Sequence, residues 1–365
     1  MSTARLAAFV SPHGFGHAAR TCAVIEALAR RQPSLEVDLY TTVPEWFFTE
    51  SISVPFARFP LACDVGLAQR SALDEDPGAT ASALERLWPP APALLAELAT
   101  QLRRRSTRLV LCDMAALGVA AARHAGLPAA LVENFTWSFI YHGYRDEEPR
   151  LAGFSAAFDA ELATAAWRFR VEPSCGEGAG VAVPPVARQA RATREAVRAR
   201  LGVAPDRPMV LVSMGGIPWS FAADSLAAAR TTAPGASPLF VVPGGADVER
   251  RDGDLLLLPH HSPIHHPDLV AAADALVGKL GYSTVAEAAR AGTRFAYLPR
   301  PRFRESPVLA AWLSARLPTV ELPPTALADG SWAAPLADLL ARGAGQPTLA
   351  DGAETIAAAL AATFE

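Results

Sequence analysis

Two glycine-rich segments gather side chains that move protons or hold anions. The first, Pro12-His13-Gly14-Phe15-Gly16-His17-Ala18-Ala19-Arg20, sets two imidazoles beside two glycines. The second, Gly278-Lys279-Leu280-Gly281-Tyr282-Ser283-Thr284-Val285-Ala286-Glu287, supplies a cation, two hydroxyls and a carboxylate. Gly14, Gly16 and Ala19 fit the dinucleotide-loop spacing G-x-G-x-x-A, but the next strand ends in Thr41-Thr42-Val43, where an acid should meet the ribose. Imidazoles add little to a cradle of backbone N–H groups. At a strand-to-helix turn their chemistry is proton transfer, the free side chain titrating near roughly pH 6.5. Asp113 ends a different strand of the same half and can hold a histidine tautomer from behind. Two readings stay open: a His17–Asp113 dyad that activates a hydroxyl, or a helix-capping Asp113 beside a first-turn His17.

The second segment suits a diphosphate, because a helix start offers N–H groups and Lys279, Ser283 and Thr284 lie beside it. Glu287, one turn on, can accept from ribose hydroxyls or close a T-x-x-E capping box with Thr284. Gly215-Gly216, at the end of another strand, lets backbone approach the same phosphates. The P-loop pattern G-x-x-x-x-G-K-[ST] is absent.

Alternating elements must position these segments. Leu6 to Val10 reads as a first strand, His17 to Arg31 as a helix and Val37 to Thr42 as a second strand. Arg108 to Asp113 is a further strand, followed by an Ala-rich helix to His124 and a strand from Ala129 to Glu133. After a helix marked by Phe154, Phe158 and Leu162, residues 173–187 turn rich in Gly, Pro and Val and read as a linker. The second half repeats the pattern, with strands running into Gly215, Pro243-Gly244, Pro259-His260 and Gly278, and helices Pro307 to Arg316, Trp332 to Arg342 and Thr355 to Phe364 ending the chain. This organisation predicts two successive doubly wound α/β domains with parallel sheets.

At 365 residues the chain exceeds one compact α/β core and suits two. Its 51% hydrophobic and 19% charged composition argues for folded globules, and a net charge of −4 gives no footprint for nucleic acid. Arg103-Arg104-Arg105, the one concentrated basic patch, reads as a solvated helix end. Cys22, Cys63, Cys112 and Cys175 stand far apart without metal-ligand spacing and fit reduced thiols in the cytoplasm. No segment reaches the length of a membrane span, and the first apolar run is too short for a signal-peptide core.

Two other constellations read as bland. Asp74-Glu75-Asp76 matches a D-x-D metal motif but lies among Ser, Pro and Gly, which favours a solvated acidic loop. His260, His261, His265 and His266 are interrupted by Ser262-Pro263 and Pro267, which favours a polar loop bordering a nucleobase over a metal site. Asn134, Phe135, Trp137, Phe139 and Tyr141 follow a strand and either line a pocket for a ring-shaped ligand or form core.

These segments carry a resemblance. The chain looks like the glycosyltransferase B-fold (GT-B) superfamily, and within it resembles the glycosyltransferase-like N-terminal region of plant L-arabinokinases and its stand-alone bacterial relatives. The matching runs are Gly14 to Arg20, Asp64-Val65-Gly66-Leu67-Ala68-Gln69, Cys112-Asp113, Asn134 to Tyr141, Gly278 to Glu287, and Arg302-Phe303-Arg304-Glu305-Ser306-Pro307. The resemblance implies two Rossmann-like domains facing across a cleft: residues 1–180 bind the acceptor, 181–350 bind a nucleotide sugar, and 351–365 form a helix packing back on the first domain. It implies a glycosyltransferase that moves a hexosyl or N-acetylhexosaminyl group from a nucleotide-diphosphate sugar, UDP-linked by commonest usage, to a hydroxyl or amine, with no metal and no cofactor beyond that co-substrate. His17 falls at the base position and Asp113 at its partner's. Gly14, Gly16, Gly215, Gly216, His260, Lys279, Gly281, Tyr282, Ser283, Thr284, Glu287, Arg302 and Glu305 fall to the donor, with Glu287 on the ribose and Glu305 on sugar hydroxyls. His13, Phe15, Asn134, Phe135, Trp137 and Tyr141 fall to the acceptor. Lys279 stands where many relatives carry a phosphate-binding His, and Glu305-Ser306 replaces their Asp/Glu-Gln pair. A sugar-nucleotide 2-epimerase and a non-catalytic nucleotide-sugar sensor are the alternatives, the first needing more cleft carboxylates than Glu133 supplies.

Overall fold

A computed structural model describes residues 4–71, 74–176, 178–215, 237–348 and 350–364. The chain divides into two compact units, residues 1–187 with 302–305 and 350–365, and residues 188–301 with 306–349.

The first unit is built on β1 (Ala4–Val10), β2 (Leu35–Tyr40), β3 (Phe56–Phe59), a two-stranded ribbon of β4 (Gln69–Ser71) and β5 (Asp74–Glu75), then β6 (Leu109–Asp113), β7 (Ala129–Glu133), β8 (Trp167–Val171) and β9 (Val181–Val183). Apart from the ribbon, these strands form one parallel sheet in the order β3-β2-β1-β6-β7-β8-β9. Helices cover both faces, so β6 and β7 are buried at every residue and read as apolar runs, each closed by one acid, Asp113 and Glu133. The chain winds outward from β1 to β3 and then returns to β6. That reversal opens a crevice at the carboxyl ends of β1 and β6, where a doubly wound sheet binds ligands.

The unit runs beyond residue 180 because Val181–Val183 adds the seventh parallel strand where the composition suggested linker. The helix Gly352–Leu360 packs with the first helix, Phe15–Arg31, where Arg30 holds Glu354 and Gln32 donates to the Ala361 carbonyl. Gly352 lets the start of this helix approach the chain after β9, since a Cβ there would lie 2.0 Å from the Pro184 carbonyl oxygen.

The second unit contains β10 (Met209–Ser213), β11 (Leu239–Pro243), β12 (Arg250–Asp252), β13 (Leu255–Leu258), β14 (Ala275–Lys279), β15 (Arg294–Leu298) and β16 (Thr319–Glu321). Their order is β12-β13-β11-β10-β14-β15-β16, with β12 alone antiparallel among the described strands of this sheet. Here the reversal lies between β10 and β14. Both units therefore have the doubly wound α/β architecture that the alternating pattern predicts.

Two expectations are corrected. Asp74-Glu75-Asp76 is no solvated loop: Glu75 lies in the ribbon, buried, with the Arg302 guanidinium 3.8 Å away. Asp76 caps the helix Pro77–Leu87 through a 2.9 Å bond from the Ala79 amide. Arg103 and Arg104 are exposed at a helix end, but Arg105 turns inward, its Nη2 2.6 Å from the fully buried Asp38 carboxylate. A buried carboxylate must recruit a cation, whatever the local composition suggests.

At the second reversal Ser213 pairs with Gly278, and a Cβ on Gly278 would sit 2.0 Å from the Ser213 carbonyl oxygen. Backbone oxygen in a central sheet has nowhere to move. Gly278→Ala should therefore cost about 3 kcal/mol, the upper end for overpacking. Denaturant unfolding of the variant measures this, and wild-type stability would show that the strand pair spreads at no cost.

Candidate functional site

In the first unit the crevice is formed by the loop after β1 and the end of β6. Gly14 starts the helix Phe15–Arg31 with φ +74°, a conformation that favours glycine, and open space surrounds the direction a Cβ would take. Gly16 follows in the first turn, half-buried. His17 is then fixed by geometry: its Nδ1 lies 2.7 Å from Asp113 Oδ1. The sheet end is shaped by Met114, which adopts φ +58°, an uncommon conformation for a side chain of its size that turns the chain sharply after Asp113.

Asp113 has more partners than a dyad needs. Arg20, one turn after His17, donates from Nε to Oδ2 at 2.8 Å and from Nη2 to Oδ1 at 2.6 Å, and Thr21 Oγ1 lies 3.3 Å from Oδ2. Arg20 also donates to the Asn134 side-chain oxygen, and the Asn134 amide nitrogen donates to the Val171 carbonyl at 2.8 Å. Burial pushes the Asp113 carboxyl up, but the Arg20 charge and the His17 hydrogen bond outweigh it and hold it below the ordinary carboxylate range. An ionised Asp113 accepts only, so Nδ1 carries the proton and Nε2 is the basic nitrogen. The capping alternative fails, because the helix Ala116–Ala125 has Ala115 at its cap and no side-chain cap bond.

A second carboxylate lies beside this cluster. Asp64 accepts from the Gly66 amide at 3.0 Å and from the Trp137 indole N–H. Burial raises its carboxyl against the pull of the Gly66 amide and His17. Gly66, at φ +68°, is packed directly under the His13 ring, which a Cβ would meet at 2.7 Å.

The expected acceptor residues divide. His13 and His17 both pack against Trp137, at ring-centroid distances of 5.1 and 6.0 Å, and Phe135 lies 6.4 Å from His17. These rings wall the imidazoles. Tyr141 is fully buried and donates to the Gly66 carbonyl at 2.7 Å, Asn134 holds Arg20 and the backbone, and Phe15 stacks on Phe47 at 4.8 Å. As they stand, these three brace the crevice and do not line it.

In the second unit, Ser213 and Gly215 close β10, Gly215 at φ +69°, while Gly216 lies outside the described residues. Lys279 ends β14, and a Cβ on Gly215 would lie 3.8 Å from its Cε. Gly281 caps the helix Tyr282–Ala291 without a side-chain bond, and Tyr282 and Ser283 are half-buried in its first turn. This places the N–H groups of a helix start beside one lysine, a suitable anion site. His260 is exposed against Gly244, at the turn after β11.

Four of the residues expected at the donor have surroundings that the sequence does not show. Thr284 lies inside the helix and forms no capping box with Glu287, since the cap is Gly281. Glu287 is 3% exposed, its Oε1 taken by Arg188 Nε at 3.1 Å and its Oε2 by His266 Nδ1 at 2.9 Å, which closes it to a ribose. Arg302 and Glu305 belong to the first unit. There Arg302 donates to Glu147 at 2.7 Å, Arg304 lies over the Phe139 ring at 4.2 Å, and Glu305 is buried. The sequence assigns Arg20 and Arg188 no site role and places His266 only in a polar loop bordering a nucleobase. Arg20 had a signal, the i, i+3 spacing from His17 on one helix face; Arg188 and His266 had none that marked Glu287 as their partner.

Among the described residues, no three His, Cys, Asp or Glu side chains gather as a metal site, all four cysteines are free and buried, and no helix is long and apolar enough to cross a membrane.

Glu287 makes the second unit acid-sensitive in a defined window. Burial alone would raise its carboxyl, but Arg188 and His266 bring it from 4.5 down to about 2. A depressed carboxylate stabilises the fold above its unfolded value and loses that contribution as pH falls through the folded one. The depression corresponds to roughly 3 kcal/mol, lost between about pH 4.5 and 2. Glu287→Gln should lower stability at neutral pH, by leaving Arg188 without this partner, and flatten the acid dependence in that window. Denaturant unfolding over a pH series measures both, and a variant with the wild-type acid slope would show that other carboxylates set it.

No protein-family model matches the chain. The L-arabinokinase of Arabidopsis thaliana is 29% identical over 334 residues, 89% of this chain, and the chain spans about a third of that relative's length, 31%. Among solved structures, UGT89C1 of Arabidopsis thaliana complexed with UDP matches over 100% of both chains, with a TM-score of 0.63 at 14% identity. The glycosyltransferase SsfS6 of Streptomyces sp. SF2575 matches over 97% of this chain and 98% of its own, with a TM-score of 0.58 at 16% identity. The glycosyltransferase VinC in complex with dTDP matches over 99% and 95%, with a TM-score of 0.57 at 17% identity. These matches run nearly the full length of the chain, and with its two parallel-sheet units the chain has the GT-B fold.

Proposed function

We propose that this protein is a glycosyltransferase that uses a nucleotide-diphosphate sugar, with His17 as the base. The observation that carries the reading is the 2.7 Å bond from His17 Nδ1 to a buried, ionised Asp113 at the crevice of the first sheet. The fold supports it, and so do UGT89C1 and VinC, solved with UDP and dTDP.

In this reading an acceptor hydroxyl or amine gives its proton to His17 Nε2 as its oxygen or nitrogen bonds to the anomeric carbon. The bond from that carbon to the diphosphate breaks, the electron pair leaves with the phosphate oxygen, and a single displacement inverts the centre. Asp113 keeps the imidazole in the tautomer that exposes Nε2 and stabilises it once protonated. Lys279 and the N–H groups at Tyr282 and Ser283 receive the charge on the departing diphosphate, so the reading invokes no metal and no further cofactor. Trp137, Phe135 and His13 form the acceptor side. The transferred group is a hexosyl or N-acetylhexosaminyl unit, and UDP or dTDP its carrier.

Incubation with UDP-, dTDP- and GDP-sugars, with and without cell extract, tests the class. Nucleotide release that requires extract identifies a transferase, an isomerised sugar an epimerase, and binding without either a sensor. His17→Ala should lower transfer by roughly 10²- to 10⁴-fold while UDP affinity is unchanged. Undiminished turnover by that variant would remove His17 as base.

A further inference from the structure

The second unit holds a chain of polar groups that the mechanism above does not use. Glu287 is buried and held ionised by Arg188, so it accepts only, and the hydrogen on His266 Nδ1, 2.9 Å from Oε2, must point to it. That bond fixes both the tautomer and the plane of the His266 ring. It also turns Nε2 away from Glu287, toward Ser213 Oγ at 3.4 Å.

Ser213 is the last residue of β10, next to Gly278 of β14, and its Oγ accepts from the Gly215 amide at 3.3 Å. The free face of His266 therefore meets the carboxyl ends of the strands where this sheet reverses. Lys279 and Gly215 border the same place. A 3.4 Å contact lies at the outer limit of hydrogen bonding and leaves Nε2 available to a stronger acceptor. The side chain is only partly buried, 25% exposed, so a ligand can reach it.

We infer that His266, aimed by the Glu287–Arg188 pair, is a binding residue for the diphosphate of the nucleotide sugar. Its Nε2 donates to a phosphate oxygen beside Lys279. With Nδ1 on the carboxylate and Nε2 on the phosphate, both nitrogens donate, the ring is the imidazolium, and each bond is charge-assisted. Glu287 acts through the imidazole and is a positioning residue, not a ribose ligand. The inference rests on the nucleotide-sugar reading.

Two substitutions separate the roles of the two ring nitrogens. His266→Asn keeps an amide donor near Nδ1, so Glu287 stays paired, but offers nothing at Nε2. His266→Gln places its amide near Nε2. Calorimetric titration of the full chain with UDP, dTDP, GDP and uridine should show UDP or dTDP binding about tenfold more weakly to the Asn variant, with uridine affinity within about twofold of wild type and thermal melting unchanged. The Gln variant should recover part of the loss. Equal UDP affinity in wild type and the Asn variant would overturn the inference, as would an equal loss for uridine, which points to a merely structural role. A wild-type chain that binds none of the three nucleotides would overturn the nucleotide reading, and this inference with it.

Discussion

The buried Asp113 carboxylate is the constraint around which the first unit is arranged. It is 1% exposed at the end of a central strand, where an unpaired charge would cost several kcal/mol. The structure answers with Arg20, bonded to both oxygens, and with His17 and Thr21 from the same helix. Three residues of one helix face thereby meet one carboxylate, which fixes the rotation of the helix Phe15–Arg31 over the sheet. Arg20 then reaches Asn134, so the turn after β7 is tied to the same point. The αL residue Met114 belongs to this account: strain of order 1–2 kcal/mol in the backbone after Asp113 is tolerated because the ion pair holds the strand end in place.

The second unit uses a similar device, with the carboxylate on the helix after β14 and not at a strand end. Glu287 is buried, Arg188 supplies its cation and His266 its imidazole. In both units the carboxylate takes the Nδ1 hydrogen and turns Nε2 away from itself. What lies around the ring differs. His17 is walled by the aromatic rings of Trp137 and Phe135, a setting that suits the proposed proton acceptor. His266 lies at the reversal that Lys279 and a helix start also border, a setting that suits the proposed phosphate ligand.

The fold was legible in the sequence because it rests on local signals. Strands buried on both faces read as apolar runs, and the turns that follow β1, β10 and β14 carry glycines. His17 and Asp113 were legible for a related reason, since each lies at the carboxyl end of a strand, where parallel sheets place ligands. What could not be read was which distant element a polar side chain would join. Arg20 on an Ala-rich helix, Arg105 in a basic run and Glu75 in an acidic run all look solvated, yet each is paired inward across the chain. Tyr141 and Phe15 look like ligand platforms because an aromatic ring that packs and one that binds have the same local sequence. Glu287 kept its position in the helix but not its role, and the difference lies in two partners that are 99 and 21 residues away.

Arg20 also decides what Asp113 contributes. Opposed by a guanidinium on both oxygens, the carboxylate is half of a nearly neutral pair. Its field at His17 is weaker than that of an isolated aspartate, while its geometric hold on Nδ1 is undiminished at 2.7 Å. Asp113 therefore orients the base more than it charges it. In the proposed transfer, then, little push would come from the acceptor side, and the stabilisation would be drawn from the leaving group, where charge develops on the diphosphate. Under that proposal the donors suited to it are Lys279, at the end of β14, and the His266 imidazole already fixed by Glu287, groups that need not rearrange when the bond breaks.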